Sequence, residues 1–238
     1  MTSAWLWKAR RVLAGSRVSL DAGIERRVAG WLAAPRPGTG SAIAAGRWVI
    51  VDVETSGLDT STAALIAIGA LAVNGGEIDL ADSFEVVLRQ PEASAHDNIL
   101  VHRITGSEQL GGIDPAHALV AFLEFIGHSP LVAYHAPFDA KMLQRALMAE
   151  LGLAARLDWV DLAQLAPLVM AERAKGLKGL DQWLEALAIP VVHRHRAITD
   201  CAATAALFLM AIEASLRQGC HTVADVSRLA ASRQWLGR

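Results

Sequence analysis

Cysteine is nearly missing from this chain: Cys201 and Cys220 are the only two in 238 residues. Two thiols make no disulfide framework, and such sparing use fits a reducing cytosol. An excess of positive charge is missing as well. Lys and Arg total 22 against 24 Asp and Glu, a net charge of −2. A protein that grips a long duplex by its phosphates shows a broad basic face, so a nucleic-acid partner would be met locally, near one site. No apolar run is read as approaching the ~18 residues of a membrane-spanning helix, and no membrane partner is expected. The basic start, "MTSAWLWKARRVLAGSRVSLDAG", is broken by Lys8, Arg10, Arg11 and Arg17 and leads to no cleavage site, so it reads as helix of the mature protein.

What is present is globular. Hydrophobic residues make up 53% and charged residues 19% of the chain, enough to bury a core at this length. Residues 1–34 place Trp5, Leu6, Val12 and Leu13, then Ile24, Val28, Trp31 and Leu32, at helical spacing. "APRPGTGSAIAAG" (34–46) has linker composition, and its Gly38-x-Gly40 precedes a strand, which is the wrong context for a dinucleotide fingerprint. The reading is therefore an N-terminal helical extension (1–34), a linker (35–46) and one larger domain with a C-terminal helix (47–238).

From Arg47 the pattern is α/β. Apolar runs at 48–53, 64–73 and 83–88, separated by "SGLDTS" and "NGGE", predict three hairpin-linked strands. Helical spacing follows at about 115–126, then a short buried strand at 131–135, a helix at 138–151 and a fifth strand at 157–162 running into another helix. Further helices are predicted at 179–189, 199–216 (apolar nearly all round) and 222–235. Three early strands followed by strand–helix alternation imply a mixed sheet flanked by helices.

Three short stretches carry the chemistry. In "VIVDVETSGLD" (49–59) Asp52 and Glu54 lie two residues apart on a strand, so both project from one face. Paired carboxylates repel unless a cation lies between them or one keeps its proton, and hard divalent ions prefer such oxygens. An acidic strand end is the ordinary alternative. In "AYHAPFDAKML" Asp139 falls in the first turn of a helix, where capping would explain it equally. In "HRHRAITDCAATAAL" Asp200 opens an apolar helix and His195 lies five residues before it. His193-x-His195 has no cysteine at ligand spacing, which argues against zinc.

In this order the three pieces resemble the DEDDh 3′–5′ exonucleases, the group that contains the epsilon proofreading subunit of bacterial DNA polymerase III. The resemblance covers about residues 47–216. It implies a ribonuclease H-like fold: a five-stranded mixed sheet whose central first strand carries the first two acids. It places the four metal-ligating acids on Asp52, Glu54, Asp139 and Asp200, the general base on His195, and contacts to the terminal nucleotide on Thr55 and Leu58. Phe138 and Leu58 offer surface on which a base could stack, with core packing the equal alternative for Phe138. Relatives usually write His-Gly-Ile-Thr where this chain has "HRIT" with Arg103, and His-Asn where it has Tyr134-His135.

The implied reaction is two-metal hydrolysis of a phosphodiester, with two Mg²⁺ or Mn²⁺ ions and release of nucleoside monophosphates from a single-stranded 3′ end, DNA favoured. An RNA-directed exonuclease of the same family and a silent adaptor on the same fold stand as alternatives; a missing acid would mark the adaptor, and none is missing. Arg194 and Arg196 are either phosphate contacts or solvated loop charges. A stand-alone enzyme is favoured over a replicase subunit, with polymerase binding or self-association through the N-terminal helices left open. A cytoplasmic location is expected.

Overall fold

The computed structural model describes residues 4, 6–7, 20–38, 40–190 and 196–236. Helix α1 (Ala22–Ala33) begins where the Asp21 carboxylate accepts the N–H groups of Gly23 and Ile24. Strands β1 (Arg47–Thr55), β2 (Leu65–Asn74) and β3 (Glu77–Val87) follow. Two short helices, α2 (His96–His102) and α3 (Gly106–Leu110), precede α4 (Pro115–Ile126). Then come β4 (Leu131–Ala133), α5 (Ala136–Leu151), β5 (Trp159–Asp161) and α6 (Leu162–Val169). Helices α7 (Leu180–Ala186), α8 (Ala197–Arg217) and α9 (Val223–Leu236) complete the described chain.

The strands form one five-stranded sheet in the order β3-β2-β1-β4-β5. β1 pairs antiparallel with β2 and parallel with β4, and β4 pairs parallel with β5. The sheet is therefore mixed, with β1 at its centre, as expected. Its register follows from a tight turn. Asn74 pairs with Glu77 across Gly75 and Gly76, whose φ values of 58° and 85° supply the two left-handed residues that a type I′ hairpin demands.

Alternation along β1 divides the interior in two. Val49, Val51 and Val53, with Ile68 and Ala70 of β2, bury against Leu119, Phe122 and Leu123 of α4 and Leu143 and Leu147 of α5. Trp48 and Ile50, with Leu71 and Val73, bury against Leu165 of α6 and Cys201, Ala205 and Phe208 of α8. Asp52 and Glu54 continue the second set by the same period of two, so they share the α8 face. Trp7 and the α1 residues Ile24, Val28 and Trp31 join the first cluster.

Several boundaries move. β3 begins six residues earlier than the predicted 83–88 segment, because it is an edge strand with mostly exposed or half-exposed side chains and its polar start hides it. Helix α5 starts at Ala136, ahead of Pro137, instead of at 138. Helices α2 and α3 were not predicted; each spans too few residues to show a period. One exclusion also needs correction: by length and mean hydropathy (1.6), α8 passes the test for a membrane-crossing helix. Its apolar side chains instead bury against the sheet and α6, which is why the run is so apolar.

Candidate active site

The central strand builds the site. Asp52 pairs across the ladder with Gly69, and Glu54 with Ala67, so both carboxylates leave β1 on the α8 side. Helix α8 brings Asp200 to them in its first turn. Oxygen atoms of Asp52, Glu54 and Asp200 lie within 4.8 Å of one another, with Asp200 buried and the other two half-buried. Three carboxylates at this spacing could hold a divalent cation, and hard oxygen donors are the set that Mg²⁺ and Mn²⁺ favour.

Asp139 stands outside that group of three but reaches the same strand from the opposite layer. β4 pairs with β1 only through Val49 and Ile50. Beyond that point the edge of β1 is covered by the start of α5, and the Asp139 carboxylate accepts the Val53 N–H at 3.2 Å. Burial pushes the Asp139 carboxyl up to about 8; hydrogen bonds pull against this, and the Asp161 and Glu54 carboxylates add to it. A buried acid raised in this way, beside three more, is the situation that a bound cation relieves.

Sequence reasoning missed Asp161. It closes β5 and caps α6, accepting the Ala163 N–H at 3.1 Å, and it also accepts the His135 N–H at 3.0 Å. It thus holds the turn from which α5 delivers Asp139. Burial raises its carboxyl as well. An acid between an apolar strand and a helix is an N-cap signature, the signal that "LDWVDL" carried.

The residues expected to meet substrate are placed as follows. Leu58 is 88% exposed. Phe138 is partly buried against the first core cluster. The Thr55 hydroxyl donates to the Gly57 carbonyl at 2.8 Å, shaping the loop that presents Leu58. Helix α2 is tied to that loop by the Asn98 side chain, which donates to the Ser56 carbonyl, and it exposes Leu100 and Val101. Arg196 is engaged by Glu85 of β3 at 3.5 Å. His195 and Arg194 lie outside the described residues, as does His193.

The exonuclease family model of the RNase T type matches residues 49–208. The chain belongs to this exonuclease family. Among its relatives, a PolC-type DNA polymerase III of Thermotoga maritima is 27% identical over 182 residues, which is 76% of this chain but 13% of the polymerase. The PolC-type enzyme of Clostridium perfringens is 30% identical over 66% of this chain and 11% of its own length. The chain thus spans only about an eighth of those polymerases. Solved structures agree on the fold. The nuclease domain of 3′hExo, a DEDDh family member bound to rAMP, superposes with a TM-score of 0.62 at 14% identity, covering 76% of this chain and 97% of that domain. Exonuclease X bound to 5′-overhanging duplex DNA gives 0.59 at 21% identity, covering 77% and 99%.

Proposed function

We propose that this exonuclease removes nucleoside monophosphates from single-stranded 3′ ends, with DNA favoured, by metal-dependent phosphodiester hydrolysis. The observation that carries the reading is the convergence of Asp52, Glu54 and Asp200 within 4.8 Å from two different elements, beside the buried acid Asp139. The family supports exonuclease chemistry. Relatives solved with single-stranded and overhanging DNA, Exonuclease I with dT13 and Exonuclease X, support the choice of DNA.

Asp52, Glu54 and Asp200 would hold the cations, with Asp139 as the fourth ligand once ionised. Two such ions supply an activated water and charge stabilisation for the departing 3′ oxygen. The remaining work falls to the chain. Rigid placement of two acids on the central strand holds their oxygens without reorganisation. His195, in the stretch just before α8, takes the proton from the attacking water, a task to which imidazole is suited around neutrality. Leu58 and Phe138 offer apolar surface on which the terminal base can lie.

RNA is the second reading, favoured by one observation: the 3′hExo domain of the same fold is bound to rAMP. The test is digestion of 3′- and 5′-labelled single-stranded DNA and RNA with Mg²⁺, Mn²⁺ or EDTA, beside Asp200→Ala. Metal- and Asp200-dependent shortening from the 3′ end is expected, faster on DNA. A faster RNA reaction transfers the assignment to RNA, and intact substrate under every metal overturns it.

A further inference from the structure

Gly69 of β2 lies directly across the ladder from Asp52 on one side and from Glu85 on the other. The first residues of α8 lie over this row. Arg196 is held to Glu85 at 3.5 Å, and Asp200 joins Asp52 and Glu54, so the helix start bridges Gly69 from one neighbour to the other. A Cβ on Gly69 would fall 2.5 Å from the Ala197 carbonyl carbon, 2.6 Å from the Ala197 Cβ and 2.7 Å from the Ile198 nitrogen. Two of these three are backbone atoms that no rotamer can move. The φ of Gly69 is not in the left-handed region; closeness of approach, not backbone freedom, is what demands glycine there.

We infer that Gly69 is a positioning residue for the metal site: the missing side chain sets the depth at which α8 seats on the sheet, and so the place of the Asp200 carboxylate. The inference rests on the metal-site reading above. Ordinary van der Waals contact begins near 3.4 Å, so an alanine would lift the helix start by about 1 Å. Metal–ligand distances tolerate only about 0.2 Å, and a misplacement of about 1 Å at a reacting centre can cost roughly a hundredfold. Asp200 lies one turn from Ala197 and rides on the part that moves. Nothing comparable holds for the neighbouring Ala70, whose side chain enters the opposite core.

The experiment is Mn²⁺ titration by calorimetry on wild type, Gly69→Ala, Ala197→Val, their double variant and Ala70→Val, with circular dichroism and melting temperature beside it. Ala197→Val fills the same gap from the helix side and decides the matter should Gly69→Ala not fold. Expected are folded proteins in which either change lowers Mn²⁺ affinity about tenfold or more. The double variant should depart from the product of the single losses, because both changes add atoms to one gap. Ala70→Val should lower the melting temperature and leave Mn²⁺ affinity alone. Mn²⁺ affinity within twofold of wild type in Ala197→Val, or losses that multiply in the double variant, would overturn the role. A wild type that binds no Mn²⁺ would instead sink the metal-site reading itself.

Discussion

The backbone N–H of Val53 donates to the carboxylate of Asp139 at 3.2 Å, where a fourth strand would otherwise continue the ladder. β4 stops at Ala133, and an acid from α5 takes its place. The bond satisfies a buried donor on the central strand and ties the carboxyl group to the residue that separates Asp52 from Glu54 on β1. One short strand thereby decides where the fourth acid sits.

That placement predicts how the metal-free protein answers to pH. The folded Asp139 keeps its proton up to about 8, whereas the unfolded chain releases it near 3.8. The folded state therefore binds more protons across this window, and stability must fall as pH rises through it. The raised Asp161 acts with the same sign. The lowered carboxyl of Asp59, at about 2, acts oppositely and only below pH 4. Urea denaturation in EDTA between pH 5 and 8 should show the decline. Asp139→Asn keeps an acceptor for the Val53 N–H and should flatten it. Mg²⁺ should stabilise wild type more at pH 8 than at pH 5. A pH-independent midpoint for wild type in EDTA would refute the assignment.

Two of the three departures expected from the resemblance, at Arg103 and His135, fall on left-handed backbone; that at Tyr134 does not. Arg103 has φ 59° and His135 has φ 67°. Glycine and asparagine enter this region readily, histidine fairly often, and arginine at a cost of about 1–2 kcal/mol. The replacements thus bear first on backbone conformation. Arg103→Gly should stabilise the protein by up to about 1 kcal/mol, once the greater freedom of glycine in the unfolded chain is set against the relieved strain. His135→Asn should be close to neutral, and His135→Val destabilising. Chemical denaturation measures all three, and a destabilised Arg103→Gly would show that the guanidinium makes compensating contacts.

Helix α1 is held by more than apolar contact. Trp31 is buried, donates its indole N–H to the Gly127 carbonyl at 2.6 Å and packs on the His128 ring at 4.5 Å between centroids. Arg27 adds a bidentate pair with Glu124 of α4. Truncating Trp31 should cost about 3–5 kcal/mol, as for other buried aromatic side chains, and should leave the Gly127 carbonyl without its donor. Arg27→Ala, at an exposed pair, should cost about 1 kcal/mol or less. Single-transition unfolding with a lowered midpoint in Trp31→Ala is the expected record. An unchanged midpoint would mean that α1 adds nothing to the stability of the core.

The sequence made some of this visible and hid the rest for physical reasons. β1 was legible because Trp48 to Val51 are continuously apolar and Val53 extends the run, and the period of two then placed Asp52 and Glu54 on one face without further knowledge. Asp200 was legible as the head of an apolar helix. The three-residue strands β4 and β5 were found because buried runs stand out, but their ends were overestimated. The first half of β3 was hidden by its exposure. Asp161 carried a readable capping signal and was passed over. Gly69 carried none: its meaning lies in α8, more than a hundred residues away, and a glycine in a strand says only that something comes close.

The last prediction separates proton transfer from metal binding. Asp200 is one of the three clustered acids, while His195 contributes no carboxylate to them. His195→Ala should therefore leave Mn²⁺ affinity near that of wild type and lower the maximal rate about 10²–10⁴-fold, the usual worth of a general base. Asp200→Ala should lose both. In wild type a general base should give the rate an ascending limb with pH. That limb should vanish in His195→Ala, where the small residual rate follows the hydroxide supply instead. Single-turnover digestion of a labelled oligonucleotide at saturating Mn²⁺, from pH 5.5 to 9, reads all of these at once. A His195→Ala enzyme with wild-type turnover and an unchanged pH limb would remove the histidine from the mechanism and direct the search for the base to the exposed His135, at the N-terminal cap of the helix that carries Asp139.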